Sequence, residues 1–293
     1  MRSPAIFLLT AICLSALHGA PPPFSGEHAF EYTRKAVAFG PRPPGSAAIK
    51  QLQAYILAQI ASHGGTVSTD DFNATTPKGS VPMRNIIARY PGKSGKVIVI
   101  SGHYDTKILP GFVGANDGGS STGFLLAMLE SLQGAPRKDD IWVVFLDGEE
   151  AFGEWSDTDS LYGSRHLAQK WLSDGTSVKV KALINVDMIG DKDLHLVFDM
   201  NSAPSLRTLV WETAARLGFS SQFPGNNPTE MGDDHQPFIR AGIKALDLID
   251  FDYGPGNSFW HTPKDTVDKL SPNSFRIVGT VLQNVISQLE AAR

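Results

Sequence analysis

Apolar residues recur along this chain with two periods. Leu52, Ile56 and Ile60 share one face of a 3.6-residue repeat inside residues 31–64, a stretch interrupted at Gly40-Pro41-Arg42-Pro43-Pro44-Gly45 and closed by His63-Gly64-Gly65. Further helices are predicted over residues 120–132, 161–172, 205–217 and 272–292. Between them come short runs rich in β-branched residues, at 85–90, 97–100, 141–146, 182–186 and 245–249. Several of these runs are apolar almost throughout, the pattern of strands covered on both faces. Strands alternating with helices predict an α/β fold, a single-domain three-layer sandwich around a mixed, mostly parallel central sheet. No linker, charge block or low-complexity stretch divides residues 24–293, so one catalytic domain is expected there.

In such folds ligands bind beyond the carboxyl ends of the strands. Polar residues stand directly after the apolar runs: His103-Tyr104-Asp105, Asp147-Gly148-Glu149-Glu150, Asp187 and Asp250. They are predicted to share one edge of the sheet. His103, Asp117, Glu150, Asp187 and His261 are oxygen and imidazole donors at strand ends or in turn-rich loops. Zinc accepts this donor set, and a catalytic zinc usually takes three protein ligands with a fourth position open. Asp117 sits in Ala115-Asn116-Asp117-Gly118-Gly119, where glycines admit close backbone approach.

Taken singly, each residue has a plainer reading. Asp117 would cap the helix from Ser120, Glu149-Glu150 would be a solvated pair, His261 beside Trp260 a packed aromatic corner, and His103 a hydrogen-bonded core histidine. Their joint placement at the predicted edge favours the metal. Gly119-Ser120-Ser121-Thr122-Gly123 also matches a nucleophile elbow, with Asp187 and His261 following in hydrolase order. That motif needs a strand feeding straight into the serine. Residues 109–118 read instead as a loop with glycines and a proline, so serine chemistry is set aside.

Composition narrows the picture further. With 293 residues, 42% of them hydrophobic and 19% charged, the chain is an ordinary globular protein rather than a disordered one. A net charge of -4 leaves no basic footprint for nucleic acid. Arg2, an apolar run over residues 5–14 and the small Gly19-Ala20 before Pro21-Pro22-Pro23 resemble a secretory signal peptide over residues 1–20. The run is too short to span a bilayer comfortably. Its removal would leave a secreted or periplasmic protein, off the membrane. Cys13, the single cysteine, lies inside it, so the mature chain would lack thiol nucleophiles, cysteine ligands and disulfides.

The stretch Phe145-Leu146-Asp147-Gly148-Glu149-Glu150-Ala151-Phe152-Gly153-Glu154-Trp155-Ser156, running on through Asp159-Ser160-Leu161-Tyr162-Gly163-Ser164, closely resembles glutaminyl cyclases of the animal, zinc-dependent type. Gly102-His103-Tyr104-Asp105, Gly114-Ala115-Asn116-Asp117, Asp233-Asp234-His235-Gln236-Pro237-Phe238 and Trp260-His261-Thr262 are similar to the same family. The related zinc aminopeptidases of family M28 share the sheet, the His-x-Asp element, the Glu-Glu pair and the late histidine, but typically lack the long segment after Glu150. The resemblance implies a zinc-aminopeptidase-like fold. It implies one zinc on Asp117, Glu150 and His261, proton transfer by Glu149, and a supporting network of Asp187 and Asp233. Trp155 and Trp260 would wall the substrate pocket, and His103 and Asp105 would support the ligands from behind. The family often has Ile and Gln where Met231 and Gly232 stand, so one pocket wall is expected to be reshaped. The disulfide that the animal enzymes carry near the first histidine cannot form here.

The activity so implied turns an amino-terminal glutamine, and more slowly glutamate, into pyroglutamate, with ammonia released from glutamine. Peptides and proteins beginning with Gln would be the partners, and a monomer is expected. The α-amine, with a pKa near 8, is roughly 10–20% neutral at pH 7, so a carboxylate beside it need only collect one proton and return it to the leaving nitrogen. Two other readings stay open. Five donors also suit two metals and an aminopeptidase that frees amino acids, and a non-catalytic peptide binder would hold zinc and peptide without turnover.

Overall fold

A computed structural model describes residues 22–292; the expected leader and Cys13 lie outside the described residues. Two helices open the domain, α1 (Gly26–Val37) and α2 (Ala47–Ser62). The hydroxyls of Ser25 and Ser46 cap them by accepting the backbone N–H groups of His28 and Ile49. A long hairpin follows, β1 (Thr66–Thr76) and β2 (Gly79–Tyr90), and then β3 (Val97–His103), α3 (Gly119–Leu132) and β4 (Asp140–Leu146). The chain continues through α4 (Tyr162–Ser173), β5 (Val180–Asp187), β6 (Phe198–Asp199), α5 (Pro204–Arg216) and β7 (Pro228–Thr229). It closes with α6 (His235–Arg240), β8 (Ala245–Ile249) and α7 (Pro272–Ala291), the last capped by Ser271 with Pro272 in its first turn.

The main sheet runs in the order β1-β2-β4-β3-β5-β8. β4, β3, β5 and β8 are mutually parallel, and the β1–β2 hairpin adds two antiparallel strands at one side. Side-chain alternation along β4 builds the layers. Ile141, Val143 and Phe145 join the core made with Phe124, Val278 and Leu282 of α3 and α7, while Trp142, Val144 and Leu146 join the one made with Leu167, Trp171 and Phe238 of α4 and α6. The three-layer α/β sandwich is therefore as expected.

The sequence pattern missed β1 and shortened β2. Their strand residues include Asp70, Asp71 and Asn73, types depleted in sheets, and β1 buries only Asp70, Ala74 and Thr76 along its length. A strand at the edge of a sheet needs no continuous apolar run. Because the central strands are parallel, His103, Leu146, Asp187 and Ile249 all end at one edge. Loops leaving that edge carry the polar residues singled out above.

Candidate metal centre and substrate cavity

Asp117 lies at the middle of the site. It follows the loop after β3 and directly precedes Gly118, whose φ of 74° starts α3 in the left-handed region that glycine tolerates. The helix cap is thus Gly118, and the Asp117 carboxylate is free of that duty. Its Oδ2 lies 3.2 Å from Nε2 of His261, which lies 3.2 Å from Oε1 of Glu150. Its other oxygen is 3.3 Å from Nε2 of His103. His103 Nε2 in turn pairs with Asp187 Oδ1 at 3.0 Å. Two overlapping groups of potential ligands result, Asp117–Glu150–His261 and His103–Asp117–Asp187.

The first group fits a metal ion. Asp117 Oδ2 and Glu150 Oε1 are buried and make no hydrogen bond among the described residues, a costly state for carboxylate oxygens unless something else meets them. Ligands about 2.0 Å from a tetrahedral zinc stand roughly 3.3 Å apart. The 3.2 Å separations from His261 match that spacing. The second group is closed differently, by the hydrogen bond from His103 to Asp187.

Local backbone chemistry aims these side chains. Asp105 accepts the N–H groups of Glu149 (3.1 Å) and Glu150 (3.3 Å) and approaches His103 Nδ1 at 3.4 Å. One carboxylate thereby orients three site residues. The Lys107 ammonium donates to Glu150 Oε2 at 3.4 Å. His261 and Met188, the residue after Asp187, both hold φ near 51°, a left-handed conformation costing about 1–2 kcal/mol for a residue with a side chain. Trp260 stacks on the His261 ring at 4.0 Å and Phe112 meets it edge-on. The aromatic-corner reading of His261 is therefore correct and coexists with its place among the ligands.

A cavity of about 250 Å³ opens beside the ligands, lined by Glu149, Asp187, Asp233, Met231, Gly232, Trp155 and Trp260, with Ile249 and Phe251 completing the wall. Trp155 is 45% exposed and stands at the mouth. A Cβ at Gly232 would meet only Trp155 Nε1, at 3.9 Å, so the wall is open there. Burial, reinforced by the charges on Glu150, Asp233 and Asp234 against an opposing pull from His103, holds the Glu149 carboxyl well above the usual range. Burial likewise pushes Asp187 up to about 7 despite His103. Burial alone would lower His261, but the adjacent Asp117 and Glu150 carboxylates outweigh it and raise it to about 9.

Every site residue singled out in the sequence reaches this region, with three amendments. Glu149 shares the cavity with Asp187 and Asp233 but makes no hydrogen bond to either among the described residues. Asp187 pairs with His103, and Asp233 accepts from the Asn185 amide at 3.3 Å. His103, a donor candidate in the sequence that the family resemblance puts in support of the ligands, belongs to the second ligand group. Asp250 stands at the right edge but accepts the N–H groups of His195 and Asp252 and does not line the cavity. The hydroxyls of the elbow-like motif are spent on backbone carbonyls. Ser120, Ser121 and Thr122 donate to the carbonyls of Asn116, His103 and Gly118, which leaves no poised nucleophile.

Residues 85–286 match the family model for peptidase family M28. The chain belongs to that family. The glutaminyl-peptide cyclotransferase-like protein of Mus musculus is 32% identical, over 82% of this chain and 70% of its own length. Among solved structures, a glutaminyl cyclase from an Acidobacteriales bacterium superposes with a TM-score of 0.88 and 41% identity, covering 99% of both chains. A zinc-dependent exopeptidase from Parabacteroides distasonis superposes with a TM-score of 0.80 and 26% identity, covering 91% of this chain and 99% of its own. Within the M28 family the likeness is therefore greater to the cyclases, and zinc is the metal that the donor chemistry and these relatives suggest.

Proposed function

We propose that this chain is a zinc-dependent glutaminyl-peptide cyclotransferase, converting amino-terminal Gln, and Glu more slowly, to pyroglutamate. The observation that carries the reading is the 41% identity to a solved glutaminyl cyclase across 99% of both chains, with the three-ligand cluster opening on a cavity. At about 250 Å³ the cavity lies below the range of drug-sized sites and suits a single amino-acid side chain. Asp117, Glu150 and His261 would hold one zinc, which when bound supplies Lewis-acid polarisation of the γ-amide oxygen.

The remaining work falls to the chain's own residues. Trp155, Trp260 and Phe251 hold the glutamine side chain folded, so that the α-amine meets the γ-carbonyl of its own residue. A C–N bond forms and the amide C–N bond breaks. Glu149 takes the proton from the attacking nitrogen and returns it to the leaving one, so ammonia departs and the carboxylate is regenerated. Its raised pKa brings it closer to those nitrogens in proton affinity. Asp187 and Asp233, with His103 and Asp105 behind, keep the acidic wall in place. The wall left open at Gly232, beside Trp155, would leave room for residues that follow the glutamine.

A second reading follows from the second ligand group, His103–Asp117–Asp187, which would complete a two-metal aminopeptidase. One ion is proposed on the resemblance to the cyclases, and metal analysis of the purified protein decides between one and two. Product analysis separates the readings: a Gln-initiated peptide should yield ammonia and a pyroglutamyl peptide, lost on chelation and regained with zinc. Free glutamine as the product would establish the peptidase instead, and zinc and peptide binding without turnover would establish a binding protein. No helix among the described residues is long and apolar enough to cross a membrane. The signal-like residues 1–20 are the support for a secreted or periplasmic location, and a monomer acting on peptides and proteins that begin with Gln completes the proposal.

A further inference from the structure

Asp117 and His261 reach the site from segments far apart in the chain, and one buried carboxylate joins those segments. Asp265 is fully buried, four residues beyond His261 and in the same turn, where its N–H donates to the Thr262 carbonyl at 3.0 Å. Its Oδ1 accepts the Asn116 N–H at 2.8 Å and the Tyr253 hydroxyl at 2.7 Å. Its Oδ2 accepts the Asp117 N–H at 3.1 Å. Other contacts hold neighbouring parts of the loop: the Arg42 guanidinium donates to the carbonyls of Val113 and Gly114, and the Asn116 side chain accepts the Gly190 N–H. Neither of these ties the Asp117 backbone to the turn that bears His261. Asp265 does.

We infer that Asp265 is a positioning residue for metal binding, a clamp that sets the distance between the Asp117 and His261 ligands by accepting the backbone of one from the turn of the other. The inference rests on the zinc reading of the site. All three groups facing the carboxylate are donors, so an acceptor at both oxygens is required. Asparagine offers only one acceptor oxygen and turns an NH₂ group toward a donor, so it cannot replace the clamp. Partners of this kind, which touch a ligand and not the ion, commonly change metal affinity by about 10- to 100-fold.

The test measures zinc affinity of the full chain by competition with a chromophoric chelator, for the unsubstituted protein, Asp265→Asn and Tyr253→Phe. Unfolding midpoints in excess chelator accompany each. Asp265→Asn should raise the zinc Kd by about 10- to 100-fold. Tyr253→Phe removes one hydrogen bond to the clamp and leaves both backbone contacts. It should raise the Kd by about threefold, corresponding to a typical hydrogen bond of under ~1 kcal/mol. If Asp265→Asn does not fold, Tyr253→Phe decides alone. A folded Asp265→Asn with lowered metal-free midpoint and unchanged Kd would show a purely structural role and overturn the inference, as would an unchanged Kd in Tyr253→Phe when it alone decides. Weak or absent zinc binding in the unsubstituted protein would instead overturn the metal reading, and the inference with it.

Discussion

Asp117 Oδ2 stands 3.2 Å from Nε2 of His261, with no hydrogen bond made by that oxygen among the described residues. Two potential ligand atoms are thus held at zinc-ligand spacing without a hydrogen bond between them. His261→Ala should abolish stable zinc binding and lower kcat/KM by about a thousandfold, the loss of ~4 kcal/mol of charge stabilisation. His103→Gln lies outside that trio and should leave bound zinc at one ion per chain. Metal analysis after gel filtration checks both. A drop from two ions to one in His103→Gln would place the protein with two-metal peptidases.

Glu149 shares the cavity with the ligands but belongs to neither ligand group. Glu149→Gln keeps the shape and removes the base. Turnover of a Gln-peptide should fall by about 10²- to 10⁴-fold, with zinc content unchanged. Ammonia release alongside metal analysis measures the two separately. Substantial remaining activity would take the proton-transfer role away from Glu149.

The pH profile carries a sign. Burial, and then the nearby charges on Glu150, Asp233 and Asp234, raise the Glu149 pKa. The deprotonated form is the base, so kcat should decline as pH falls through that raised value. Asp233→Asn removes one of the negative charges and stabilises the Glu149 carboxylate. The acid limb of the kcat profile should therefore move to lower pH, whatever the height of the plateau. A limb that stays in place or moves upward would contradict this electrostatic account.

The ligands were legible in the sequence because their chemistry conflicts with their surroundings. His103, Glu150 and Asp187 end or follow strands that are otherwise apolar, and buried parallel strands deliver such residues to one edge. Asp265 and Arg42 were not legible. Asp265 acts on backbone groups 149 and 148 residues away, and Arg42 sits in a proline- and glycine-rich turn while its guanidinium is buried under the Asp117 loop. No local pattern encodes a partner that is a distant backbone atom. β1 escaped for the converse reason, since an edge strand shows solvent most of its side chains.

One polar residue of that edge strand carries a stability prediction. Asp70 is buried and accepts from Lys170 Nζ at 2.9 Å, His166 Nδ1 at 2.9 Å and Asn85 Nδ2 at 3.1 Å, fastening β1 and β2 to α4. Phe72 stacks on the His166 ring at 4.1 Å beside it. Burial alone would raise the Asp70 pKa, but these hydrogen bonds outweigh it and hold it below 3.8. A carboxylate depressed in the fold stabilises above its unfolded value of about 3.9, and that contribution is lost as pH falls through the lower, folded value. Lys170 and His166 are 49% and 41% exposed, which screens the pair. Asp70→Asn should thus cost about 1–2 kcal/mol near neutral pH. The difference from the unsubstituted protein should begin to shrink once pH drops below about 3.9, where Asp70 of the unfolded chain takes up its proton, and reach its minimum below the lower value held in the fold. Urea unfolding of both proteins across the acid range measures it, and a difference that does not shrink toward low pH would show that Asp70 acts there through packing alone.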